Sequence, residues 1–203
     1  MAGGRRGRKP LSAKGEIRTL EPSPAERAVA RRAAESRATI PVLELSLPSV
    51  PGADTAALVG ACALALRAHP RANAAYRDGR FELYQRTNVG FVVATAEAYL
   101  IPTVFDADQK QPAQLAEEIE RLRAEAGAGQ LASPAFSGGT FTVWNAAEHG
   151  LSAAGIPLVS PQAAALAAGT ATLTLACDHR ILYGARAAEF LKGIREQLVR
   201  RAG

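Results

Sequence analysis

The sequence has few of the features that mark membrane, secreted or metal-binding proteins. Its 203 residues include two cysteines, three histidines and one tryptophan, and aromatic residues make up only 5%. No apolar run reaches the roughly 18 residues that a membrane-spanning helix needs, and no signal peptide is visible. The cysteines and histidines lack the spacing of a zinc site, so we expect no metal and no bound cofactor. Cys62 and Cys177 lie in apolar stretches, which predicts buried free thiols in a cytoplasmic protein.

The net charge of +5 comes entirely from the first 20 residues, because the remaining Lys/Arg and Asp/Glu balance. A basic, glycine-containing arm on a neutral body is typical of a solvated, flexible segment, although weak phosphate binding is an alternative. The body has no basic stripe interleaved with aromatic residues, which argues against a nucleic-acid-binding domain. We therefore predict a flexible basic arm at residues 1–22 and one folded domain at residues 23–203.

Hydrophobic periodicity and capping residues predict an α+β protein. Helices are predicted at residues 23–38, 54–70, 111–129 and 184–201. Strands are predicted at residues 40–50, 138–145 and 169–179, with two or three more within 80–108. Since strands and helices do not alternate strictly, we expect a mixed-sheet sandwich with helices packed on one side.

His179 is the candidate catalytic residue, since it follows an apolar run in "ACDHRILYG", between Asp178 and Arg180. An imidazole takes up and returns a proton near neutral pH, and a strand-to-loop junction holds such a base rigidly at a cavity. From the residues alone, a structural histidine in a turn is the alternative. His69 at a helix end and His149 in a predicted loop are weaker candidates.

Several stretches, taken in order, resemble the catalytic domain of the dihydrolipoamide acyltransferases, the core of 2-oxoacid dehydrogenase complexes. They are "AERAVARRAAESRATIP", "LIPTVFDAD", "SGGTFTVWN" and "LACDHRILYGARAAEFL", and the resemblance covers nearly everything after residue 22. It implies a chloramphenicol acetyltransferase-like fold for an acyltransferase-like catalytic domain. It also implies a homotrimer with active sites between subunits, and acetyl-CoA or another acyl-CoA as substrate.

The resemblance implies that His179 deprotonates the acceptor, with Asp178, Arg180 and Gly184 supporting its loop. Two positions depart from the family. Its oxyanion-stabilising serine falls on Trp144, and its acidic or amide residue, four after the histidine, is Tyr183. The residues that we consider for the oxyanion site or substrate channel are therefore Trp144, Tyr183, Thr142 and Asn145. The arginine that pairs with that acid in relatives falls on Glu26. The chain is also shorter than the family around Pro51–Asp54 and between Gly169 and Thr170.

Three functions fit this pattern. We expect that no lipoyl or subunit-binding domain precedes the core, as in relatives similar to tetronate-pathway O-acetyltransferases of antibiotic biosynthesis. The first hypothesis is therefore O-acetyl transfer to a hydroxyl of a small-molecule acceptor such as a tetronate. The alternatives are a catalytically degenerate structural paralogue of the core, or a core subunit that uses a lipoyl arm on another chain.

Overall fold

The computed structural model describes residues 13–15, 17–95 and 99–202. Most of the predicted arm at residues 1–22 lies outside the described residues, so the division into arm and domain stays a prediction. In the described part of the chain, no helix is long and apolar enough to cross a bilayer.

A six-stranded mixed sheet forms the centre of the domain, with the strand order β1-β10-β9-β8-β4-β7. The pairs β4–β8 and β8–β9 are parallel and the other pairs are antiparallel. Two small hairpins, β2–β3 and β5–β6, lie outside this sheet. The strands are β1 (Val42–Pro48), β2 (Ala74–Arg77), β3 (Arg80–Leu83), β4 (Val89–Phe91), β5 (Val93–Ala94), β6 (Tyr99–Leu100), β7 (Thr103–Val104), β8 (Phe141–Asn145), β9 (Ala164–Ala168) and β10 (Thr172–Asp178).

The helices begin where the sequence offers capping groups. They are α1 (Pro24–Thr39), α2 (Thr55–Ala68), α3 (Pro112–Gly127) and α4 (Gly184–Ala202). The Ser23 hydroxyl accepts the Glu26 N–H, and the Glu26 carboxylate accepts the Ser23 N–H, which is a capping box. The Asp54 carboxylate accepts the Ala57 N–H at the start of α2.

The two faces of the sheet are covered differently. On one face, α2 packs against α3, α4 and the sheet, and the large buried side chains of the core lie here, among them Phe91, Phe141 and Phe190. The second face carries small residues, including Ala165 and Ala167 of β9. Helix α1 lies over this second face, where its side chains line cavities rather than a packed core.

The predicted fold class is confirmed, with three differences in detail. Helix α1 lies on the opposite side of the sheet from the other three helices. Residues 80–108 contain five short strands rather than two or three, because residues such as Pro102, which has no N–H, interrupt the ladders. Strand β9, with the sequence AALAA, was not predicted, because alanine is a weak strand former and shows no alternation when both faces are buried.

Candidate functional site

His179 lies on a turn that backbone hydrogen bonds hold at the end of β10. Its N–H donates to the Pro41 carbonyl at 2.9 Å, and the Asp178 N–H donates to the Ala163 carbonyl at 2.8 Å. The Asp178 carbonyl accepts the N–H groups of Ile181 and Leu182, both at 2.9 Å. The backbone of the turn is thus fixed while the His179 side chain is exposed.

Asp178 and Arg180 form an ion pair across this turn. The Asp178 carboxylate, only 2% exposed, accepts hydrogen bonds from the Arg180 Nη2 at 2.6 Å, its Nε at 2.9 Å and its backbone N–H at 2.9 Å. The hydrogen bond to Asp178 raises the pKa of Arg180 above its usual value, so the guanidinium stays charged. Its carbon lies 4.7 Å from the centre of the Tyr76 ring, a cation–π distance. The pair closes the turn that carries His179. The supporting role that the resemblance implies for both residues stays a prediction.

Trp144 lines a cavity of about 230 Å³ between the second face of the sheet and α1. Strand alternation places Thr142 on the same face of β8, and Thr142 also lines the cavity. The wall is completed by Arg32, Ala33, Val92, Ala94, Tyr99, Ile101, His149, Ile156, Pro157, Leu158 and Val159. The wall is therefore mainly apolar. The sequence did not predict Arg32 or His149 there, because the position of both depends on how α1 and the loop after β8 pack over the second face of the sheet.

The four oxyanion or channel candidates do not all lie in this cavity. The Thr142 hydroxyl does, but it already donates to Gln162 Oε1 at 2.8 Å. Asn145 points to the opposite face, where its Nδ2 donates to Glu148 at 3.2 Å and to the Thr55 hydroxyl at 3.3 Å. Asn145 therefore belongs to a buried polar network and not to the cavity wall.

Glu148, which this network holds, also accepts hydrogen bonds from Arg123. Burial pushes the pKa of Glu148 upward, but the hydrogen bonds from Arg123 and Thr55 outweigh it, so the pKa lies below its usual value. The Glu148 carboxylate is therefore ionised and fully engaged in a structural ion pair.

Tyr183 lies at the start of α4, away from the Trp144 cavity, with 47% of its surface exposed. The guanidinium carbon of Arg186 lies 5.8 Å from the centre of its ring. Gly184 follows with a positive φ of 49°, which glycine adopts without strain. Glu26, which stands where relatives have the pairing arginine, uses its carboxylate as a helix cap instead.

His179 and Trp144 lie far apart within one chain. Trp144 pairs with Ala167, and Ala167 pairs with Thr174 of β10. His179 follows Thr174 by five residues, which corresponds to about 16 Å along the strands, with two strand spacings to cross as well. A single copy of the chain therefore does not bring the imidazole to the cavity.

The cysteines are buried free thiols, as predicted. Burial raises the pKa of both thiols, that of Cys177 to about 12. Among the described residues no cluster of His, Cys, Asp and Glu is arranged to hold a metal ion. The thiols are thus unreactive core groups.

Comparison with known proteins places the chain in a family. Residues 54–172 match the model of the 2-oxoacid dehydrogenases acyltransferase (catalytic domain). The chain is 33% identical, over 158 residues, to the dihydrolipoyllysine-residue acetyltransferase component 3 of the mitochondrial pyruvate dehydrogenase complex from Arabidopsis thaliana. That match covers 68% of this chain and 29% of the relative, so the chain spans less than a third of the relative's length.

Solved structures agree in fold. Dihydrolipoamide acetyltransferase from Azotobacter vinelandii, described with a serine, a histidine and an asparagine in its catalytic mechanism, matches with a TM-score of 0.87 at 23% identity. The match covers 95% of this chain and 96% of that one. A chloramphenicol acetyltransferase matches with a TM-score of 0.52 at 12% identity, over 83% and 94% of the two chains. Because the family model covers more than half of the sequence, the chain belongs to the 2-oxoacid dehydrogenase acyltransferase catalytic-domain family.

Proposed function

We propose that this chain is an acyltransferase that moves an acyl group between coenzyme A and a thiol or hydroxyl acceptor. The observation that carries the proposal is the His179 turn. An exposed imidazole stands there on a backbone fixed by hydrogen bonds and by the Asp178–Arg180 ion pair. A general base needs such a combination of rigid support and access to substrate.

In the proposed reaction, His179 takes the proton of the acceptor as its sulfur or oxygen attacks the thioester carbonyl. The tetrahedral intermediate then collapses, the carbon–sulfur bond breaks, and the departing thiolate takes the proton from the imidazolium. At the oxyanion, the indole N–H of Trp144 offers one donor in place of a serine hydroxyl. Loss of one oxyanion donor slows comparable sites by about 10²–10³. The substitution is thus compatible with a slow enzyme.

The active enzyme in this proposal is a homotrimer whose sites lie between subunits. The separation of about 16 Å along the strands between His179 and Trp144 supports this arrangement. His179 of one copy then faces the Trp144 cavity of the next copy.

The acceptor that we favour is a dihydrolipoyl thiol. The Arabidopsis relative reported above is a dihydrolipoyllysine-residue acetyltransferase, which supports this choice. A small-molecule hydroxyl such as that of a tetronate, the first hypothesis from the sequence, stays a prediction. A degenerate structural paralogue is the second candidate function, because a bulky indole stands at the serine position and Tyr183 replaces the acid or amide.

One experiment separates these functions. The protein is incubated with acetyl-CoA and either dihydrolipoamide or a panel of hydroxylated acceptors that includes a tetronate, and the acylated products are separated by chromatography. We expect His179→Ala to lower turnover by at least about 10²-fold, because general-base catalysis contributes about 10²–10⁴. Equal melting temperatures of the two proteins would show that the loss is chemical. No turnover above the His179→Ala background with any acceptor would favour the degenerate paralogue.

A further inference from the structure

The Trp144 cavity carries positive charge and hydrogen-bond donors but no acid. Arg32 lines it from α1, and no aspartate or glutamate is part of the wall. Among the described residues the Arg32 guanidinium has no carboxylate within ion-pair distance, whereas the neighbouring Arg31 pairs with Glu35 at 3.9 Å. An arginine with no acid partner at the wall of an apolar cavity favours an anionic ligand.

The other polar groups of the cavity point to the same kind of ligand. The Thr142 hydroxyl already donates its hydrogen bond to Gln162 Oε1. The indole N–H of Trp144 can only donate a hydrogen bond, and in the described part of the chain it has no acceptor. The remaining wall is mainly aliphatic, with Ile101, Ile156 and Leu158 among its members, and it also includes the side chains of Tyr99 and His149, neither of which is an acid. The cavity is thus complementary to an apolar body that ends in a hydrogen-bond-accepting anion.

We propose that this cavity binds a medium-length aliphatic carboxylate, with its chain along the apolar wall and its carboxylate on Arg32. A planar guanidinium matches the two oxygens of a carboxylate. A volume of about 230 Å³ holds roughly seven or eight groups of the size of a water molecule, which corresponds to a chain of about eight carbons. Binding of the carboxylate does not depend on the proposed function. Its assignment to the transferred acyl group or to the acceptor does rest on that function.

Trp144 is the only tryptophan of the chain, so its fluorescence reports directly on the cavity. The full chain is titrated with octanoate. Octanol serves as the uncharged control ligand of the same chain length, and octyl phosphate as the control ligand with a different anionic head group. We expect a saturable change in Trp144 emission with octanoate. Arg32→Gln should weaken octanoate binding at least about tenfold, because it removes a hydrogen bond to a charged group. Octanol binding should not respond to Arg32→Gln, and Arg32→Lys should restore part of the octanoate affinity.

Arg31→Gln is the matched control, since Arg31 lies on the same helix but outside the cavity wall. It should leave octanoate binding unchanged. The proposal is overturned if octanoate gives no saturable change, if octanol binds equally well, if Arg31→Gln and Arg32→Gln behave alike, or if octyl phosphate binds more than tenfold tighter than octanoate.

The same titration on His179→Ala keeps this proposal separate from the proposed function. Octanoate binding that survives in His179→Ala would show that the cavity binds its ligand independently of catalysis. Octanoate binding by an unmodified protein that shows no transferase activity would support the cavity assignment and remove the enzyme assignment. Transferase activity in a protein that does not bind octanoate would do the reverse.

Discussion

At the scale of single residues, the His179 turn depends on a carboxylate that water does not reach. Asp178 is 2% exposed, and the one cation that neutralises it in the described residues is Arg180, whose side chain is one-third exposed. The pair therefore combines a buried anion with a cation that stacks on Tyr76 at the surface. Removal of the cation leaves a buried charge without a partner, which costs more than the pair itself contributes.

We expect Arg180→Ala to lower the free energy of unfolding by about 3 kcal/mol, the usual cost of leaving a buried charge unpaired. Urea unfolding followed by circular dichroism measures this value. Arg180→Lys keeps the charge but not the two-pronged geometry, so its loss should be smaller. Equal stabilities of Arg180→Ala and the unmodified protein would mean that solvent reaches Asp178.

At the scale of elements, the turn between β9 and β10 is docked on the loop that follows β8. The N–H groups of Ala171 and Thr172 donate to the Ser152 carbonyl at 3.0 and 3.1 Å, and the Thr170 N–H donates to Leu151. This turn replaces the longer hairpin that the family resemblance implies between Gly169 and Thr170. The shortened connection is thus held by close contact of two backbones.

Gly169→Ala should destabilise the domain by about 1–3 kcal/mol, the usual cost of overpacking, because its Cβ would lie 2.3 Å from the Ser152 carbonyl oxygen. Gly127→Ala is the control, since nothing lies within 4 Å of its Cβ at the end of α3. That variant should be unchanged or more stable by up to about 1 kcal/mol. Melting temperatures that fall equally in both variants would argue against the contact.

The elements differ in how well their residues predict them. Helix α2 was predictable because Asp54 caps its start and Pro70 follows its end. Helix α3 was predictable because Pro112 marks its start. Strand β10 was predictable because it is an apolar run that ends at Asp178. Arg32 was not predictable as a cavity residue, because its role depends on α1 lying over the second face of the sheet. No local signal places α1 there, since long-range packing decides it. The roles assigned to His179, Tyr183 and Gly184 stay predictions.

At the scale of the whole molecule, the proposed trimer divides the site between copies, so activity would be a property of the assembly. Ala33 lines the Trp144 cavity from α1 and is exposed rather than packed in the core, so Ala33→Trp should block the cavity without disturbing the core. Both His179→Ala and Ala33→Trp should then be inactive as pure proteins.

Mixed trimers of these two variants should regain activity. When equal amounts of the two variants are unfolded and refolded together, about three quarters of the trimers contain both variants. Each mixed trimer has one intact site out of three, so the preparation should have about a quarter of the unmodified activity. Variants refolded separately and then mixed are the control. Activity that stays at background in both preparations would show that the imidazole and the cavity serve the same copy.

Strand β9 has a consequence for the motions of the domain. All five of its residues are buried, and its backbone is bonded to β8 on one side and to β10 on the other. Its amides should therefore exchange with deuterium only when the whole domain opens, whereas those of the edge strand β1 exchange through local fraying. Mass spectrometry would measure this exchange. The exchange rate of these five residues, which the sequence did not predict to form a strand, would then report the global opening of the fold.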